Sequence, residues 1–198
     1  MEERVVFTSG HLRIEGMLAS TASVRGAVIS HPHPLYGGDM HNPVVIAVQR
    51  AYLRQGFSTL RFNFRGVGRS EGRYDDGPGE RRDANAAMAF LAGRGMTAID
   101  LVGYSFGAWV NAGLGAGIRR MVMVSPPVAL MRFDPPAPIP ALGLIVTGGR
   151  DDIAPARTIT TYKAHWNPSA AFEVIPDADH FYTGCLKTLE DTIAAHLA

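Results

Sequence analysis

The sequence predicts a mostly parallel α/β sheet of about eight strands, with helices on both faces and no cap domain. Three observations lead to that class. Six short runs between Ala27 and Ile175 are largely continuous in apolar residues, as strands buried on both faces require. Helical patterns separate most of these runs, so each parallel strand is reached by a right-handed crossover. The 198 residues fit a single domain over 1–198, long enough to bury about 70% of the unfolded surface without disulfides or metals.

Taken in order, Val5 to Thr8 and Leu12 to Ala19 are β-rich and joined by Ser9-Gly10, which predicts an antiparallel hairpin. The buried strands are then Ala27 to Ser30, Thr59 to Phe64, Ile99 to Gly103, Met121 to Val124, Leu142 to Thr147 and Phe172 to Ile175. Pro43 to Gln55 starts with proline and is followed by Gly56, the asymmetry of helix boundaries, while Val45, Ile46, Val48 and Leu53 supply its apolar face. Gly79 to Ala92, Phe106 to Ala116 and Thr183 to Ala198 read as further helices. Residues 125–141 carry Pro126, Pro127, Pro135, Pro136, Pro138 and Pro140, a loop too short and broken for a cap.

Composition narrows the function classes. The chain is 46% hydrophobic with 19 basic and 18 acidic residues, a formal charge of +1, which gives no bias toward nucleic acid or a membrane surface. Cys185 is the single cysteine and forms no internal disulfide. Glu2, Glu3 and Arg4 lead into no apolar segment of an export signal, and no run reaches the length of a membrane span. A cytoplasmic protein is expected, acting on a small molecule, without nucleic-acid or membrane partners. Its oligomeric state is not readable.

The chemistry concentrates where Ile99 to Gly103 ends in Gly103-Tyr104-Ser105-Phe106-Gly107. A GxSxG pattern between a strand and a helix is a nucleophile elbow: Ser105 sits on a tight turn, and Gly103 and Gly107 let strand and helix approach closely. The first helical N–H groups lack intrahelical acceptors, and that of Phe106 can face a developing oxyanion. A serine hydroxyl needs a neutral histidine to take its proton and a carboxylate to orient the imidazole. Two segments past later strands supply them: Gly148-Gly149-Arg150-Asp151-Asp152, with one of two carboxylates, and Asp177-Ala178-Asp179-His180. Ser125 also ends a strand, but two prolines follow it and it has no elbow.

These motifs, together with His31-Pro-His-Pro-Leu-Tyr-Gly-Gly38, Phe62-Asn-Phe-Arg-Gly-Val-Gly-Arg-Ser70 and Gly148-Gly-Arg-Asp-Asp-Ile-Ala-Pro155, resemble the α/β-hydrolase superfamily from the first hairpin to the last helix. The chain looks most like small bacterial cap-less serine hydrolases related to dienelactone hydrolases. The order serine, acid, histidine is that of the family. The resemblance implies Ser105 as nucleophile, His180 as base and Asp151 as acid, because a pattern like GxxDxxxP ends on Pro155, and Asp152 is then a neighbour. It implies carboxylesterase-like cleavage through an acyl-enzyme, with no cofactor and no metal. A serine where dienelactone hydrolases carry cysteine argues against their particular activity. The loop His31 to Gly38 corresponds to the family's oxyanion loop. Pro32 and Pro34 have no N–H to donate, which leaves His33, Leu35 or Tyr36, with Leu35 or His33 favoured beside Phe106. Tyr36, Tyr104 and Phe181 are expected to line the substrate pocket, with Tyr182 and the proline-rich loop nearby.

Other readings compete. Thioesterases and peptidases use the same triad, and a catalytically silent member of the fold would act as a binding protein; a complete triad argues against the last. His31-Pro-His33 with Asp39 and His41 resembles a metal-hydrolase pair, although two prolines suit a stiff structural turn better. Gly66-Val-Gly68 suggests a dinucleotide loop, but Glu71 stands where the third glycine belongs, and Arg65 and Arg69 suit a loop-holding role.

Overall fold

The computed structural model describes residues 2–133 and 138–198. An antiparallel hairpin of β1 (Glu2–Ser9) and β2 (Leu12–Ala19) opens the chain, followed by β3 (Arg25–Ser30), β4 (Ser58–Phe62), β5 (Ala98–Tyr104), β6 (Arg120–Val124), β7 (Leu142–Gly148) and β8 (Ala171–Ile175). They form one sheet in the order β1-β2-β4-β3-β5-β6-β7-β8. β2 runs antiparallel to β4, and every pairing from β4 to β8 is parallel. The C-terminal ends of β3, β5, β6, β7 and β8 therefore share one edge, where ligand sites of such sheets gather.

Side-chain alternation divides the core in two. Val28, Leu101, Met121, Met123 and Ile145 face α2 (Pro78–Gly93), α3 (Phe106–Ala112) and α4 (Ala156–Trp166). Ala27, Ile29, Val102, Val122, Val124, Leu144 and Val146 face α1 (Pro43–Arg54) and α5 (Leu186–Leu197). The predicted helices on both faces are thus present, and among the described residues no helix is long and apolar enough to cross a membrane.

Four details differ from expectation. The strand expected over Thr59 to Phe64 ends at Phe62: the Asn63 amide still donates to the Glu15 carbonyl, the next residue of the β2 register, but the Phe64 amide leaves the sheet for the His31 ring. α3 stops at Ala112 rather than Ala116, since Gly113, Gly115 and Gly117 follow, each about 1 kcal/mol worse than alanine in a helix. α5 begins at Leu186 rather than Thr183, because Tyr182 and Gly184 hold φ of 55° and 71°, outside the helical region. α4 went unread: Thr158, Ile159, Thr160 and Thr161 mask its helical period, and burial of Ile159 and Trp166 decides it instead. His165 lies on its last turn. In the 125–141 loop the described residues form no helix or strand, and Pro135 and Pro136 lie outside the described residues.

The glycine turn after β4 is closed by the chain itself. Arg65 makes a forked ion pair with buried Asp83 of α2, at 2.8 and 3.0 Å, and Asn63 Nδ2 donates to Glu15 at 2.7 Å. These groups hold the loop, as expected for Arg65.

Candidate active site

β5 delivers Ser105 at the shared edge in a conformation that L-residues rarely adopt, φ 53° and ψ −118°. The approach that requires it is tight. A Cβ on Gly103 would lie 2.4 Å from the Ala108 nitrogen, and one on Gly107 would lie 2.5 Å from the Ser30 oxygen at the end of β3. With glycine at both positions, α3 packs directly over β5 and β3.

The loop after β8 brings His180 over the serine, with His180 Nε2 3.0 Å from Ser105 Oγ. The loop after β7 brings Asp151 behind the imidazole, its two oxygens 2.9 and 3.0 Å from His180 Nδ1. All three side chains are buried, whereas Asp152 is exposed. Asp151 Oδ1 also accepts the Ile153 and Ala154 amides at 3.0 and 2.7 Å. Burial opposes its charge, but the His180 hydrogen bond and charge, the Ser125 hydroxyl and the Ala154 amide hold its carboxyl below the usual carboxylate range. An anion facing Nδ1 favours the tautomer with hydrogen on Nδ1, which leaves Nε2 free to accept from the serine.

The loop after β3 makes a 3₁₀ turn over Pro34–Tyr36. His33 Nδ1 accepts the Leu35 amide at 3.2 Å, and the Tyr36 amide donates to the His33 carbonyl at 3.1 Å. His33 Nε2 lies 3.3 Å from the Tyr74 hydroxyl, which donates to Asp76 at 2.9 Å. The His33 ring also packs on Phe106 with centroids 4.7 Å apart. Among the described residues the amides of His33 and Phe106 have no acceptor, while those of Leu35 and Tyr36 are engaged. Between the two favoured loop donors the structure thus separates His33 from Leu35, whose N–H is committed to the neighbouring imidazole.

No family model matches the chain. An uncharacterized protein of Rickettsia prowazekii is 35% identical over 196 residues, covering 90% of this chain and 82% of that one. A solved α/β serine hydrolase homologue from Coxiella burnetii is 32% identical, covers 99% of this chain and 97% of its own, and superimposes with a TM-score of 0.92. The chain belongs to the α/β serine hydrolases. A member without a lid, from Xanthomonas campestris, superimposes with a TM-score of 0.90 at 26% identity, over 99% of this chain and 93% of that one.

In this α/β hydrolase the expected pocket residues separate. Tyr36 and Phe181 stand 87% and 65% exposed. Tyr104 is a correction: alternation along β5 turns it, like Val102, into the core beneath α1 and α5. Its hydroxyl donates to the His180 carbonyl at 2.9 Å, so it steadies the histidine loop instead of lining a pocket. Tyr182 is fully buried, with its hydroxyl 2.9 Å from Ser125 Oγ. Ser125 and Tyr182 are the site neighbours that sequence reasoning passed over as partners; only the position of Ser125 at a strand tip hinted at it.

The competing motifs have structural partners. His31 is fully buried, its Nδ1 2.6 Å from the Pro32 carbonyl and its Nε2 accepting the Phe64 amide at 3.0 Å, so both ring nitrogens are taken. Burial lowers its pKa to about 4, and it stays neutral. The unfolded chain binds this proton near pH 6.5 and the folded chain does not, so stability is full above that pH and is lost as pH falls from 6.5 toward 4. The loss amounts to roughly 3 kcal/mol. Urea midpoints measured from pH 7 to pH 4 should therefore fall less steeply for His31→Gln than for the natural chain.

Proposed function

We propose that the protein cleaves carboxylic esters through an acyl-enzyme intermediate. The observation that carries this is the buried line Ser105 Oγ, His180 Nε2, His180 Nδ1, Asp151, every link at 2.9 to 3.0 Å, with the serine on a strained elbow. Ser105 attacks the ester carbonyl while His180 takes its proton, and Asp151 stabilises the imidazolium. The oxyanion that forms is met by the His33 and Phe106 amides, donors of a kind worth about 10² to 10³ in rate each. His180 returns the proton to the departing alcohol, and water then follows the same path to release the acid.

The exposure of Tyr36 and Phe181 supports an open site for short or accessible acyl groups. Thioester and peptide cleavage use the same residues, so the test includes all three bond types. Purified protein is treated with a fluorophosphonate probe and assayed on p-nitrophenyl esters of increasing acyl length, acyl thioesters and a peptide panel. The expected result is labelling, with turnover greatest on short esters. Labelling with thioester or peptide turnover alone overturns the ester assignment, and no labelling of folded protein overturns the serine-hydrolase reading.

A further inference from the structure

The His33 ring is held on both of its nitrogens. Nδ1 accepts the Leu35 amide at 3.2 Å, and Nε2 lies 3.3 Å from the Tyr74 hydroxyl, which donates to Asp76 Oδ1 at 2.9 Å. One placement of hydrogens serves every group. Nδ1 is an acceptor, so the neutral ring carries its hydrogen on Nε2, and the phenol, having committed its own hydrogen to the carboxylate, receives it. Burial lowers the His33 pKa against the pull of Asp76 and Glu80, which keeps the ring neutral.

The far end of this chain of bonds is firmly built. Asp76 holds a φ of 56°, a left-handed conformation that a non-glycine residue keeps only with support from its surroundings. Glu80, fully buried on the first turn of α2, supplies that support: it accepts the Asp75 amide at 2.9 Å and the Gly77 amide at 2.8 Å, one on each side of Asp76. A Cβ on Gly77 would lie 2.5 Å from the Trp109 ring of α3, so this turn also sits directly against the helix that follows the elbow. At the near end stands the His33 backbone, whose amide has no acceptor among the described residues. The rings of His33 and Tyr74 both pack on Phe106, with centroids 4.7 and 5.9 Å apart. The two residues whose amides are assigned to the oxyanion are thus tied together through their side chains.

We propose that Tyr74, anchored on Asp76, is a positioning residue that fixes the tautomer and rotamer of His33 and so the direction in which the His33 amide meets the oxyanion. The proposal rests on the serine-hydrolase reading above. An oxyanion donor acts as charge develops in the transition state, so loosening it costs kcat and spares KM.

The test starts with Tyr74→Phe, which keeps the ring packed on His33 and Phe106 and removes only the hydroxyl. Its kcat on p-nitrophenyl acetate is expected to fall about tenfold with KM unaltered. The ring-nitrogen resonances of His33, assigned by their loss in His33→Asn, should pass from one Nε2–H tautomer to a mixture. The His33→Asn background isolates the link. An asparagine oxygen can accept the amide two residues on, as Asn42 does from Val44 at 2.9 Å, so the Leu35 amide stays capped while Tyr74 loses its partner. In that background Tyr74→Phe should change kcat by less than about twofold. Asp76→Gly removes the anchor while relieving the positive φ, and should lower kcat about threefold to tenfold with an unchanged or raised melting temperature. An unaltered kcat in folded Tyr74→Phe and Asp76→Gly overturns the proposal. A Tyr74→Phe loss of equal size in both backgrounds overturns it too, because the phenol would then act elsewhere than on His33. Failure of the natural chain to react with the fluorophosphonate is a separate result: it removes the serine-hydrolase reading, and with it the role of the His33 amide, even where the resonances show Tyr74 holding the ring.

Discussion

Ser105→Ala is expected to abolish fluorophosphonate labelling and to lower kcat on short p-nitrophenyl esters by about 10⁶, leaving the roughly 10³ over water that binding and oxyanion donors sustain. The loss is so large because His180 and Asp151 act only through this hydroxyl: Nε2 has Ser105 Oγ at 3.0 Å and no other hydrogen-bond partner among the described residues. A companion variant separates chemistry from fold. Ser105 occupies φ 53° and ψ −118°, a region open to glycine at no steric cost. Ser105→Gly should be as inactive as the alanine variant yet more stable than the natural chain by about 1 kcal/mol or more in urea denaturation. Alanine keeps its Cβ and gains nothing of the kind. Residual turnover near the natural rate in Ser105→Ala would remove the serine from the mechanism altogether.

The elements that sequence reasoning located are those whose signal is local. β3, β5, β6 and β7 are buried on both faces and read as apolar runs, and the elbow glycines are dictated by contacts of 2.4 and 2.5 Å that only a missing Cβ permits. α4 was hidden because its stability comes from burying Ile159 and Trp166 in the core, with Phe133 of the preceding loop packed against Trp166 and Tyr162, a tertiary matter that its threonines obscure. The loop after β3 shows the same limit. Pro32 and Pro34 excluded themselves by chemistry, but whether His33 or Leu35 keeps a free amide depends on where the His33 imidazole turns, and the Tyr74 hydroxyl decides that from 41 residues away. Tyr104 and Tyr182 looked alike in sequence to the exposed Tyr36 and Phe181. Strand alternation buried the first, and the pairing with Ser125 buried the second.

The choice of acid gives the second large effect. Asp151 and Asp152 are adjacent carboxylates, and a step of one residue turns a side chain from the imidazole to solvent. Asp151→Asn keeps the size and one acceptor oxygen. The Ile153 and Ala154 amides both point at the position of Oδ1 and will claim that oxygen, which turns the new NH₂ toward His180 Nδ1. Two donors then face each other. The imidazole relieves the clash by moving its hydrogen to Nε2, the nitrogen that must accept the Ser105 proton. With the tautomer reversed, kcat/KM should fall by about 10⁴, while KM shifts little because no substrate contact is lost. Asp152→Asn should stay within about threefold, since its carboxylate is exposed and surface charges contribute little. Measuring both variants on one ester at one pH decides the assignment. A larger loss at Asp152 would mean that the working enzyme rearranges its acid loop by one residue, and that the hydrogen bonds holding Asp151 do not survive substrate binding.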